Sequence, residues 1–311
     1  MRRNKTAGFS LVEVMAAIAI LGIAMTAVFS TFLFQQQSYT TQVRVAEMQQ
    51  NLRDAVETIS RDIRMCTYGF PSNVNTVLNV NDNEITSRYL THVNGAPGPD
   101  GIYILYRYDG DNTAYPTFNV DPGPGAGAGT VTLTSTAGFA AGDRVIVYNA
   151  SNADLLLVTD VPSATTLTLL GGPVTNYNAG PATLARVRYV RYFVDTTDPA
   201  HPTLMVDRRN GQPPQPLADD IEDLQLQFSR DTNGDGVISV PDGDVVDGNV
   251  AGTLSQIRQV RIHLLARSRI AQSGWVDSGN RDMADHTPGA ANDGYRRRRA
   301  EMVVDLRNSG F

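Results

Sequence analysis

The sequence predicts an α+β fold, a long N-terminal helix packed on one face of an antiparallel β-sheet. Three observations point to it. No proline interrupts the chain between Phe9 and Phe70, and the apolar residues there recur at helical spacing. Beyond Pro71 the pattern changes to short alternating runs separated by turns. The 311 residues, 41% hydrophobic and 19% charged, suffice for a real core and about two domains.

The helix begins in an unusual context. Arg2, Arg3 and Lys5 precede any acid, and Val14 to Phe34 carry no charge. Such a run is long enough to span a bilayer as a helix. Positive charge before it and none just after predict a cytoplasmic N-terminus. The run is too long for a secretory signal, and it ends in Phe32-Leu33-Phe34-Gln35 without a small-residue cleavage site. A plain anchor would leave Glu13 unexplained, because a carboxylate at the edge of an apolar span is costly in lipid.

Gly8-Phe9-Ser10-Leu11-Val12-Glu13, with its basic leader and apolar helix, resembles the prepilin cleavage and methylation signature of type IV pilins and type II secretion pseudopilins. The resemblance implies that a prepilin peptidase cuts between Gly8 and Phe9, that the new Phe9 amine is methylated, and that the helix packs into a filament. Glu13 would then neutralise the amine of a neighbouring Phe9, sparing both from unpaired burial. Removing the three leader charges takes the formal net charge from -6 to -9. Major pilins commonly carry a proline in this helix; here Gly22 is the only weak point.

Past Phe34 the chain turns polar but stays helical. Val45, Met48, Leu52, Ala55, Ile59 and Ile63 form a stripe at steps of three and four, predicting one helix from about 9 to 67 that ends before Gly69 and Pro71. The segment from Asn51 to Arg64, with its Arg61-Asp62-Ile63-Arg64, resembles the same place in PilW-type minor pilins. Cys66, the lone cysteine, reads as structural filler.

Strands are expected at 102–108, 187–194, 203–206, 224–228, 257–265 and 301–306. PGPGAGAG at 122–129 reads as a linker opening a small β module that ends at Gly171-Gly172-Pro173. The organisation is thus a leader (1–8), an apolar helix half (9–34), an amphipathic half (35–70), a sheet domain (71–121 and 182–311) and an inserted β module (122–181). The module is either a binding surface or an extra structural layer. The segments 257–268 and 295–308 also resemble the C-terminal half of PilW-type proteins. The run Arg296 to Arg299 reads as a solvated stretch or a dock for an acidic neighbour subunit.

Asp231-Thr232-Asn233-Gly234-Asp235-Gly236-Val237-Ile238-Ser239-Val240-Pro241-Asp242 has the spacing of an acidic calcium loop. Asp231, Asn233 and Asp235 would supply side-chain oxygens, Val237 its carbonyl, Ser239 a water-mediated contact and Asp242 the closing carboxylate. Asp244 and Asp247 are further candidates, and the ion would be structural. A plain hairpin turn fits the same residues.

Function classes fall away quickly. One cysteine and four scattered histidines exclude a disulfide framework, a thiolate metal centre and a zinc-hydrolase helix. The sole lysine is Lys5, which leaves no phosphate loop. A pI near 5.2 argues against nucleic acid as a partner. The expectation is a non-enzymatic minor pilin of PilW type, acting in pilus assembly or initiation with other major and minor pilins. It would start in the bacterial inner membrane with its C-terminal domain in the periplasm, then move to the pilus at the cell surface. A type II secretion pseudopilin and a tip adhesin using residues 122–181 remain open.

Overall fold

The computed structural model describes residues 10–66, 78–80, 90–93, 95, 98–107, 129–133, 135–149, 153–170, 183–239, 241, 244–247 and 256–306. The chain divides into two compact units, Met1–Glu47 and Met48–Phe311. Helix α1 (Leu11–Met65) is continuous for 55 residues, about 80 Å at 1.5 Å per residue. Its last turn tightens, the Cys66 amide donating to the Ile63 carbonyl at 3.0 Å. Gly69 and Pro71, expected to end the helix, lie outside the described residues.

Within the first unit α1 exposes Leu11, Val12, Ile18, Leu21, Ile23, Phe29, Phe32 and Phe34, each by more than half. Within the second unit it buries Met48, Leu52, Ala55, Val56, Ile59 and Ile63. That is the anticipated stripe from Met48 onward; Val45 is only partly covered.

Two sheets accompany it. The larger holds β1 (Leu78–Val80), β2 (Leu90–Val93), β3 (Gly101–Arg107), β4 (Gly129–Thr132), β5 (Arg144–Tyr148), β6 (Ala153–Ser163), β7 (Thr166–Leu169), β8 (Thr183–Asp195), β9 (Thr203–Asp207) and β10 (Gln215–Asp219). All its pairings are antiparallel except β1 with β6. The smaller runs β12 (Val245–Asp247), β11 (Ile221–Arg230), β13 (Ile257–Arg267), β14 (Arg297–Asp305).

Strand β8 organises the larger sheet. Val187 is in register with Arg107 of β3 and Arg144 of β5, and Tyr192 with Ile102 of β3 and Val206 of β9. A residue has one neighbour on each edge, so β3 takes one edge of β8 while β5 and β9 share the other. The strands of residues 129–169 therefore continue the hydrogen bonding of the larger sheet through β5. Gly142, at the turn before β5, has φ +95, and a Cβ there would sit 2.7 Å from the Asn210 carbonyl oxygen. This close approach brings the β5 turn against the segment after β9.

Side-chain alternation divides the residues of β3 and β8 between two faces. Ile102, Ile104, Tyr106, Val190 and Tyr192 share the face on which Asp62 of α1 is met. Tyr103 and Tyr189 stack on the other at 5.7 Å, with Arg191 over Tyr103. The two sheets are joined through Asp100. Its amide donates to the Leu224 carbonyl at 2.8 Å, and its carboxylate accepts the Leu226 amide at 3.0 Å.

Candidate functional site

The N-terminal end of α1 is built as a capping box. The Glu13 carboxylate accepts the Ser10 amide at 2.9 Å, and the Ser10 hydroxyl accepts the Glu13 amide at 3.3 Å. Two amides of the first turn, which no helical carbonyl can reach, are thereby satisfied. The signal was in the sequence as Ser-x-x-Glu ahead of an apolar run. Gly8 and Phe9, the residues flanking the expected cut, lie outside the described residues. Farther along, the hydroxyls of Thr26, Ser30 and Thr31 donate to carbonyls four residues back, at 2.8 to 2.9 Å. The polar groups of the apolar half thus find partners within the helix, as a lipid or filament interior requires. The helix is long and apolar enough to cross a membrane.

The outer half of α1 is fastened by a buried polar lock absent from the sequence expectations. Asp62 accepts hydrogen bonds from the Tyr106 hydroxyl at 3.1 Å and the Tyr192 hydroxyl at 2.7 Å. Burial, reinforced by the Asp62 charge, pushes the Tyr106 hydroxyl up to about 12 and the Tyr192 hydroxyl higher still. Both phenols stay protonated donors at any physiological pH. Cys66 is buried at the end of the same helix.

The loop 231–244 is held by its own side chains. The Asp231 carboxylate accepts the Gly234 amide at 2.6 Å, the Gly236 amide at 3.0 Å and the Arg258 guanidinium at 3.0 Å. Asn233 accepts the Asp235 amide, and Asp235 accepts the Val237 amide, each two residues on. Asp244 closes the loop by accepting the amides of Thr232 at 2.8 Å and Ser239 at 2.9 Å. Burial pulls the Asp231 carboxyl up, but those amides and Arg258 outweigh it and hold it below the usual range. The Ser239 and Thr232 amides do the same for Asp244. Asp242 lies outside the described residues, as does any statement about the side chain of Asp247. Among the described residues, no group of three or more His, Cys, Asp or Glu side chains is arranged to hold a metal ion.

The arginine run 296–299 is not uniformly solvated. Arg297 is 6% exposed and is gripped by Glu222 at 2.5 Å, Asp293 at 2.7 Å and Asp277 at 3.2 Å. Burial would lower its pKa, but those carboxylates raise it instead, so the charge is permanent. Arg296 lies over the Trp275 ring at 4.0 Å, and Arg299 donates to the Asn280 carbonyl. Two of the four therefore tie the long connection before β14 to its own fold, and Arg297 ties β14 to β11.

Residues 191–308 match the family model for the type IV pilus-assembly protein W, and residues 3–29 match that for the prokaryotic N-terminal methylation motif. The chain thus resembles type IV minor pilins of the PilW type over its C-terminal part, and carries their methylation motif at its N-terminus. The methylation motif takes in Ser10, Glu13 and the start of the apolar span. The PilW match takes in Tyr192 of the lock, the 231–244 loop and Arg297. Processing by a prepilin peptidase, membrane anchorage and assembly with other pilins follow from the motif. Among solved structures, a type IV-like pilin from Thermus thermophilus aligns with a TM-score of 0.40 at 11% identity, over 84% of this chain and 96% of that one. No curated protein matches the chain.

Proposed function

We propose that this chain is a minor pilin that acts in pilus assembly or initiation as a filament or tip subunit, through helix packing and subunit contacts. The observation that carries this is the divided helix: one half buries its stripe within the chain, the other exposes every apolar side chain that Leu11–Phe34 contains. An apolar surface of that size needs lipid first and neighbouring helices later. The N-terminus faces the cytoplasm before assembly and the Met48–Phe311 unit faces the periplasm. Cleavage falls between Gly8 and Phe9, and the methylated Phe9 amine of one subunit is neutralised by Glu13 of another. Because Glu13 also accepts the Ser10 amide, its carboxylate is held at the helix end where that amine must arrive.

A Glu13→Ala chain tests this. It is expected to be cut normally yet to be absent from sheared filaments, while wild type is present. Normal incorporation of the variant would refute the assigned role. Deleting the gene is expected to reduce piliation; loss of type II secretion with pili intact would favour the pseudopilin alternative. Adhesion lost with pili intact, after surface substitutions within 122–181, would favour the tip adhesin.

The calcium site of Asp231, Asn233, Asp235, Val237, Ser239 and Asp242 is a proposal of the same standing. Its oxygen spacing supports it, and carboxylate oxygens retain acceptor capacity beyond one bond each. Arg258 competes with it, placing a positive charge 3.0 Å from the Asp231 carboxylate. Calorimetric titration with Ca²⁺, repeated on Asp235→Asn, decides between them: binding lost in the variant supports the site, and no binding removes it.

A further inference from the structure

A second site is built where α1, β8 and the β5 turn meet. It is a cavity of about 430 Å³ lined by Thr58, Arg61, Asp62, Tyr106, Arg144, Arg188, Tyr192, Arg208 and Asn210, among others. The Asp62–tyrosine lock lies in its wall. Arg188, Val190 and Tyr192 line it from a single face of β8. The β5 turn and the segment after β9, pressed together at Gly142 and Asn210, close another side.

Four of the lining side chains are arginines, and the lining acids are two, Asp62 and Asp143. Asp62 spends both oxygens on tyrosine hydroxyls, and Asp143 accepts the Ala140 amide and lies 3.5 Å from Arg186. Both acids are thus already engaged by protein partners. Arg188 and Arg208 are exposed at the surface, where an incoming anion meets them first. In a chain of net charge -6, this is a local concentration of positive charge. Guanidinium forks match carboxylate and phosphate oxygens, and each carries five donors, so one intramolecular bond does not exhaust it.

The rest of the lining selects among anions. Tyr106, Tyr192 and Thr58 donate their hydroxyl protons to Asp62 and the Asp54 carbonyl, which leaves their oxygens to accept from sugar hydroxyls, and Asn210 adds an amide donor. The volume falls within the roughly 300–1,000 Å³ of small-molecule sites, well beyond what a bare phosphate fills. We propose that this cavity binds an acidic sugar, its carboxylate held by Arg188 and Arg208 and its hydroxyls by the polar wall. The choice of an acidic sugar rests on the cell-surface role proposed above, whereas the cavity and its arginines do not.

The test is calorimetric titration of the full-length protein in zwitterionic detergent with D-galacturonate, D-galactose and inorganic phosphate. Galacturonate is expected to bind about tenfold or more tightly than galactose, the worth of one charge-assisted pair. Arg208→Ser alone and Arg188→Ser with Arg208→Ser should each lose that preference without moving the unfolding midpoint. Equal binding of galacturonate and galactose, phosphate binding as tight as galacturonate, unchanged binding in both variants, or no binding of galacturonate at 10 mM (on the order of a weak sugar site) would each overturn the proposal.

Discussion

The two halves of α1 are one helix in two situations. Among the described residues, Leu11 to Thr40 are exposed throughout, whereas Met48–Met65 carries a stripe that the second unit buries down to 0% exposure at Ala55, Ile59 and Ile63. The backbone hydrogen bonding is the same, so propensity alone does not decide how firmly a helix is held; tertiary partners do. A half without partners is available to lipid and then to other subunits, while the half with them fixes the sheet domain to that handle.

Substitutions can break or sharpen this contrast. Ile59→Ala should cost about 4 kcal/mol of stability by opening a cavity in a closed core, whereas Ile18→Ala, at a position 63% exposed, should stay within about 0.5 kcal/mol. Chemical denaturation of both variants checks it, and equal losses would erase the distinction. Arg297→Ala should cost about 3 kcal/mol, because Glu222, Asp277 and Asp293 are left facing one another. It also sharpens the contrast, since none of these three carboxylates belongs to the helix.

The same cluster sets an acid sensitivity. Hydrogen bonds from Arg297, which outweigh partial burial, hold the Asp293 carboxyl below the usual range. A depressed carboxylate contributes fully above its unfolded value, about pH 4, and loses that contribution as the pH falls through the folded one. Wild type should therefore lose more stability than Arg297→Ala on going from neutral pH to below about pH 3; parallel losses would contradict the pairing. Asp62→Ala should cost about 2 kcal/mol by leaving two buried tyrosine hydroxyls without their acceptor. Ser10→Ala should cost about 1 kcal/mol at the helix start, read as added fraying by amide exchange.

The helix and the six expected strands were legible because burial imposes a period on the sequence, 3.6 in one case and 2 in the other. Strand β10 was not, since Pro216 argues against a strand and is accommodated only at a sheet edge beside a bulge. Asp62 was hidden for a different reason. An acid flanked by Arg61 and Arg64 on a helix reads as solvated, and its partners stand 44 and 130 residues away. Only the register of β3 against β8 brings the two phenols together. Arg297 was masked by its neighbours in a run of four, because alternation along β14 and the carboxylates of Glu222, Asp277 and Asp293 distinguish it. The Ser10–Glu13 box was written in plain spacing, but Glu13 had been fully accounted for by the processing motif.

The central claim is that this chain enters the pilin pathway through its first nine residues. Intact-mass and N-terminal analysis of the protein from its native membrane, with and without the prepilin peptidase, tests it most directly. The predicted result is a chain beginning at N-methylated Phe9 only when the peptidase is present. A chain still beginning at Met1 with the peptidase present, or one cut after Phe34, would contradict it.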